Sequence, residues 1–185
     1  MILLYRGKSF ISWRIKMATL SQYSHAAWLK TSEADRRGLR DMAHHHRKQW
    51  PQLNDDIVDL GCIEAWHKGV GVRETDSLRE GHKPGTVIDV FDPIGVDEFK
   101  FDLIRDHLRT RVGDDYWFSG ILWARTNRFN KHDAPVGKWF CSHVIEDALR
   151  FVDCPTTDER IPAHGVWPGS FERSVLASYL GSIKI

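Results

Sequence analysis

Three residues of the chain have the types that acyl-transfer chemistry requires. Cys141, in Lys138-Trp139-Phe140-Cys141-Ser142-His143, stands at the start of a segment with helical apolar spacing. A helix N-terminus presents free N–H groups and about half a positive charge. Both favour a thiolate, and both can hold a developing oxyanion. A thiolate nucleophile needs a base that keeps its proton and returns it later. Among ten histidines, His25 lies in Tyr23-Ser24-His25-Ala26-Ala27-Trp28, a mostly apolar run of strand length, where a rigid backbone can fix an imidazole. The base normally takes an orienting partner on its second nitrogen. Glu64, in Cys62-Ile63-Glu64-Ala65-Trp66, lies on the next expected strand. Antiparallel neighbours bring such residues within about 5 Å. Alternation puts Cys62, Glu64 and Trp66 on one face, with Ile63 and Ala65 on the other. Each residue also has a plainer reading: a small core side chain, a satisfied core histidine, a solvent-facing strand carboxylate.

Rival chemistries are weaker. His67, next to Trp66, is an alternative orienter. Cys62 is a second thiol, but mid-strand it lacks the helix N-terminus and reads as packing. The run His44-His45-His46 suggests a metal. Successive helical residues point about 100° apart, so three in a row cannot share one ion, and no cysteine or carboxylate at zinc spacing accompanies them. Gly69 and Gly71 lack the context of a phosphate loop.

The elements that must carry these residues follow from periodicity. Ile2–Tyr5 reads as a short buried strand, and Trp13–Leu20 as a strand or a helix turn. Tyr23–Leu29 reads as a strand. Residues 31–49 form a charged stretch with Leu39, Met42, Ala43 and His46 at helical spacing and Ser32 as N-cap. This is an amphipathic helical insertion between the two site strands, expected to act as a lid or specificity element. Ile57–Trp66 reads as a strand, followed by an extended piece at 69–72. Arg73–Gly85, polar with Gly and Pro, reads as a loop. Thr86–Phe91 is a strand; Asp97–Val112, Tyr116–Thr126 and Phe140–Val152 are helices. The last is the clearest, with Val144, Ile145, Ala148, Leu149 and Val152 on one face. Strands first and helices late favour an α+β fold with an antiparallel sheet.

In this order the motifs resemble a known family. Tyr23-Ser24-His25-Ala26-Ala27, then Ile63-Glu64-Ala65 with Gly69-Val70, then Trp139-Phe140-Cys141-Ser142 are similar to the circularly permuted branch of NlpC-type papain-like cysteine hydrolases, the YiiX-like group. In that branch the histidine and acidic strands precede the cysteine helix. The opening Ile2-Leu3-Leu4-Tyr5-Arg6-Gly7, the segment Gly113–Tyr116 and Val166-Trp167-Pro168-Gly169-Ser170 extend the resemblance over nearly the whole chain. Where many relatives carry Cys-Ser-Glu, this chain has His143 in third place and Glu146 one turn later. The resemblance implies a single papain-like domain over residues 1–185, with Cys141, His25 and Glu64 as the catalytic set and Tyr116 helping to build the pocket. It implies amide hydrolysis through a thioester, often of cell-wall peptides. No metal or organic cofactor is needed. Relatives on the same scaffold move lipid acyl groups instead. Expected substrates are thus a peptide, a peptidoglycan fragment or an acyl-bearing molecule. A long apolar groove would favour acyl groups; a pocket carboxylate for a free amine would favour peptide stems. A decayed scaffold serving as a non-catalytic binding module is the reading from another class.

Composition narrows the rest. Of 185 residues 42% are hydrophobic and 28% charged, enough apolar surface for a core and too much for disorder. A net charge of +1 shows no basic excess for nucleic acid. The three cysteines cannot all pair, which argues against a disulfide scaffold. No run of apolar residues is long enough for a transmembrane helix. The apolar start, Met1–Tyr5, is too short for the core of a signal peptide, so a cytoplasmic place is expected.

Overall fold

The computed structural model describes residues 1–45, 53, 55–66, 71–123 and 134–185. Its centre is a six-stranded antiparallel sheet. The strands are β1 (Ile2–Arg6), β2 (His25–Leu29), β3 (Cys62–Trp66), β4 (Gly71–Glu74), β5 (Val87–Pro93) and β8 (Ala177–Lys184), in the spatial order β4-β3-β2-β1-β5-β8. A separate parallel pair joins β6 (Asp115–Tyr116) to β7 (Lys138–Trp139). Helices are α1 (Phe10–Thr19), α2 (Glu33–His45), α3 (Glu98–Arg109), α4 (Phe118–Trp123), α5 (Cys141–Phe151) and α6 (Pro168–Glu172). The architecture is α+β, as expected.

The sheet interior explains its sequence. Ile2, Leu3, Leu4 and Tyr5 are fully buried, as a central strand covered on both faces requires. Trp28 packs on Phe101 of α3, ring centroids 5.1 Å apart. Helix α5 lies against β2, β3 and α3 through Val144, Ile145, Ala148 and Leu149, all fully buried. That burial, roughly 1.5–3 kcal/mol for each large side chain, anchors the helix whose first residue is Cys141.

Several expectations are resolved or corrected. Of the two readings of Trp13–Leu20 the helical one holds: Trp13–Thr19 lies in α1, with Leu20 as C-cap and Ser9 as N-cap, whose side chain accepts from Ser12 N. Residues 57–60 form a 3-10 helix rather than the start of β3. Arg73 and Glu74 belong to β4 rather than a loop, and Tyr116 to β6 rather than a helix. The chain closes on β8, whose mixed small and polar sequence Ala-Ser-Tyr-Leu-Gly-Ser-Ile-Lys carries no clear alternation. Ser32 does cap the α2 region, accepting from Asp35 N at 3.2 Å. Among the described residues, that helix packs mainly away from β2 and β3. It packs against β8, and its fully buried Arg36 donates to Asp92 and to the carbonyl of Val96. The described part of the expected lid, Glu33–His45, thus lies toward the β8 edge of the sheet. The readings on His46, on residues 47–49, and on His67, Gly69 and Val70 lie outside the described residues.

Candidate active site

His25, Glu64 and Cys141 come together. Strand pairing sets the first contact: Leu29 lies opposite Cys62 and Trp28 opposite Ile63. Continued along β2, this register makes His25 and Glu64 diagonal rather than direct neighbours, within reach of a long side chain. The imidazole Nε2 meets Glu64 Oε2 at 2.5 Å. Nε2 is thus taken by Glu64, and the Cys141 sulfur lies near enough to the same ring to act on its charge.

Charges in this cluster are displaced from their ordinary values. Burial alone would push His25 down; the Glu64 carboxylate and the Cys141 sulfur outweigh it and raise its pKa to about 9. Burial would push Glu64 up, but His25, and after it His82, hold it well below the usual carboxylate range. The proton therefore rests on the imidazole, poised between the two partners.

Two further residues hold Glu64. Arg73, directly opposite it on β4, donates from Nε to Oε1 at 2.9 Å and stacks its guanidinium 4.6 Å from the Trp66 ring centre. The Trp66 ring meets His25 edge-on at 5.3 Å. His82 stacks on Tyr5 at 4.2 Å, with Nε2 at 3.7 Å from Glu64 Oε2. Gly81 allows that turn: its φ is +78°, and an added Cβ would lie 2.8 Å from the Trp66 ring. The polar texture of residues 73–85 concealed Arg73 and His82. The signal available was the short connection from Trp66 to Gly71, which permits a hairpin that carries Arg73 to Glu64.

Cys141 opens α5 with Phe140 as N-cap, and no side chain caps the first turn. Its free N–H groups can receive an oxyanion. Pairing of β6 with β7 sets Tyr116 beside Trp139, two residues before the thiol. Burial, then the Cys141 and Glu64 charges, raise the Tyr116 pKa well above its ordinary value. Cys141 is fully buried. A cavity of about 390 Å³ is lined by His25, Trp66, His82 and Tyr116 of this cluster, with Lys8, Phe10 and Lys83 among its other walls. That volume suits a small-molecule ligand. None of the described lining residues is acidic.

The remaining candidates lie elsewhere. Cys62 faces Tyr5 and Thr75, and burial pushes its thiol up. His143 is buried among Trp139, Phe140 and Trp117, and burial lowers its pKa to about 3. Glu146 accepts from Thr156, Thr157 and Arg150, and so ties down the segment after α5.

The ligating atoms of His25, Glu64 and His82 all lie within 4.8 Å of one another, and His82 Nε2 has no hydrogen-bond partner among the described residues. Two imidazoles and a carboxylate are donors that zinc accepts. The arrangement does not fit an ion, however. Two donors each about 2.0–2.2 Å from a tetrahedral zinc stand about 3.4 Å apart, whereas the His25 and Glu64 donors meet at 2.5 Å. Glu64 is already shared by the Arg73 guanidinium and the His25 imidazolium.

No family model matches the chain, and no curated protein matches it. A solved structure does: "Crystal structure of metalloprotein yiiX from Escherichia coli O157:H7, DUF1105", with a TM-score of 0.52 and 15% sequence identity, over 97% of this chain and 94% of that one. The likeness shows the fold alone: this chain has a YiiX-like α+β arrangement over nearly its whole length.

Proposed function

We propose that the protein is a cysteine hydrolase that cleaves an acyl bond, an amide in the first reading, through a thioester on Cys141. The observation that carries this is the position of the His25 ring, which meets Glu64 at 2.5 Å through Nε2 and lies close enough to the Cys141 sulfur for the two to interact. Cys141 attacks the carbonyl carbon, and His25 holds the thiol proton. The N–H groups of the uncapped α5 terminus receive the oxyanion. His25 then protonates the leaving group. Water, deprotonated by His25, hydrolyses the thioester and restores the thiol. Glu64 fixes the ring and steadies the imidazolium. The order of the three residues along the chain, together with the YiiX-like fold, supports the permuted papain-like assignment.

The cavity favours a second reading of the substrate. Its walls combine Phe10, Ile11 and Ile15 with Lys8 and Lys83. A peptide stem held by its free amine would want a carboxylate there; an acyl group attached to an anionic head matches apolar walls and two lysines. An N-acyl amino acid has both parts.

The solved neighbour is named a metalloprotein. For this chain the contact geometry argues instead for a protonated His25 bonded to the Glu64 carboxylate. Elemental analysis of the purified protein tests this: a stoichiometric bound metal would overturn it.

The catalytic reading is tested by incubating the protein with a panel of acyl amides and acyl esters, quenching in acid, and searching for an acylated Cys141 peptide by mass spectrometry. An acyl adduct in the parent and none in Cys141→Ala is expected. A protein that binds the panel without turnover or adduct would be a binding module.

A further inference from the structure

Helix α1 has an inner and an outer apolar side. Ile15 and Thr19 face the core. Phe10, Trp13, Met17 and Leu20 follow at i, i+3, i+7 and i+10 and stand 71%, 56%, 57% and 60% exposed. Four large apolar side chains in one exposed stripe are unusual for a protein surface. The Phe10 and Trp13 rings stack at 6.0 Å, forming one aromatic plate. The charge within this segment has a single sign: residues 1–32 contain Arg6, Lys8, Arg14, Lys16 and Lys30 and no Asp or Glu, the one acidic neighbour recorded at the far end being Glu172 of α6, which accepts from Gln22. Arg6 is neutralised by Asp89, and Lys16 turns back to the Gly7 carbonyl. Lys8 and Arg14 have no ion-pair partner among the described residues. Phe10 belongs both to the stripe and to the wall of the cavity that contains His25.

We propose that α1 is an interfacial element that seats the protein on an anionic lipid surface, with the active-site cavity beside the contact. Tryptophan, phenylalanine and methionine with basic neighbours on a surface helix suit the boundary of headgroups and acyl chains. Lys8, Arg14 and cavity-lining Lys83 add attraction to anionic headgroups. A second copy of the chain is a poorer occupant, since a two-fold contact through α1 would bring the Lys8 and Arg14 charges of both copies together. No described helix is long and apolar enough to cross a membrane, so the contact is peripheral. The inference does not depend on catalysis.

The test is co-sedimentation of the full chain, carrying Cys141→Ala so that turnover plays no part, with vesicles of phosphatidylcholine alone or mixed with phosphatidylglycerol. Binding to the mixed vesicles, weaker binding to phosphatidylcholine, and weakening by salt are expected. Trp13→Ser should lower affinity about tenfold, as should Met17→Ser. Arg14→Glu, a change on the exposed surface, provides a second variant and should weaken binding to the mixed vesicles only. No binding to mixed vesicles, unchanged binding in these variants, or a lipid-free dimer that Trp13→Ser dissociates would overturn the proposal. Because the thiol is absent from the assay, its failure would leave the hydrolase reading standing.

Discussion

Arg73 donates to Oε1 of Glu64 at 2.9 Å while His25 occupies Oε2 at 2.5 Å, so one buried carboxylate serves two cations. The glutamate is thereby fixed before it orients the imidazole. Arg73 touches none of the reacting atoms; it is a positioning residue. Arg73→Gln should lower kcat about tenfold, the worth of a charge-assisted hydrogen bond, with KM little changed. Removing a positive neighbour should also move the basic limb of the pH–rate profile upward. A loss of rate with an unmoved limb would assign Arg73 a merely structural role.

The two partners of His25 should differ in their worth. His25→Ala removes the base and the acid together. Glu64→Gln keeps the shape of the orienter and should cost about a hundredfold less in kcat than His25→Ala. Steady-state rates of the two variants, each checked for its fold by circular dichroism, give the comparison. Equal losses in folded variants would mean that Glu64 does more than orient.

Stability should depend on pH in a defined way. The folded pKa of His25, about 9, lies above its ordinary 6.5, so its contribution is complete below about pH 6.5 and is lost as pH rises through 9. The difference corresponds to about 3 kcal/mol. Glu64 lies below its ordinary value of 4.5, so its contribution is present above that pH and is lost as pH falls. Urea unfolding followed from pH 4 to 10 should show a plateau between these limits. In His25→Ala the decline on the alkaline side should vanish; its persistence would place the titrating group elsewhere.

The cavity lysines should act on substrate binding. Lys8→Ala or Lys83→Ala should raise KM for acyl substrates with an anionic head by up to about fivefold each, as expected of an exposed ion pair. Uncharged analogues should be unaffected. Equal effects on both substrate classes would remove the charge argument for the headgroup.

Much of this site was legible in the chain because each of its three principal residues sits in a strongly patterned element. His25 and Glu64 lie in short apolar strands, and Cys141 begins the helix with the clearest stripe. Arg73 and His82 were hidden, since a pairing register cannot be read from a polar, glycine-rich stretch. Helix α1 was ambiguous for a physical reason: with Ile15 inside and Phe10, Trp13 and Met17 outside, it is apolar on two sides and shows no single period. The place of α2 was invisible because it depends on the distant pair Arg36–Asp92.

The central claim is that Cys141 and His25 form an activated pair, and alkylation tests it most directly. Iodoacetamide labelling of Cys141 should be followed by mass spectrometry across pH in the parent and in His25→Ala, with Cys62, whose thiol is pushed up by burial, as the internal slow thiol. Removing the imidazole widens the path to Cys141, so a slower variant reports lost activation rather than lost access. The account predicts fast labelling of Cys141 that persists well below pH 8 in the parent and collapses in the variant. Labelling with the pH dependence of a free thiol, unchanged by His25→Ala, would contradict it.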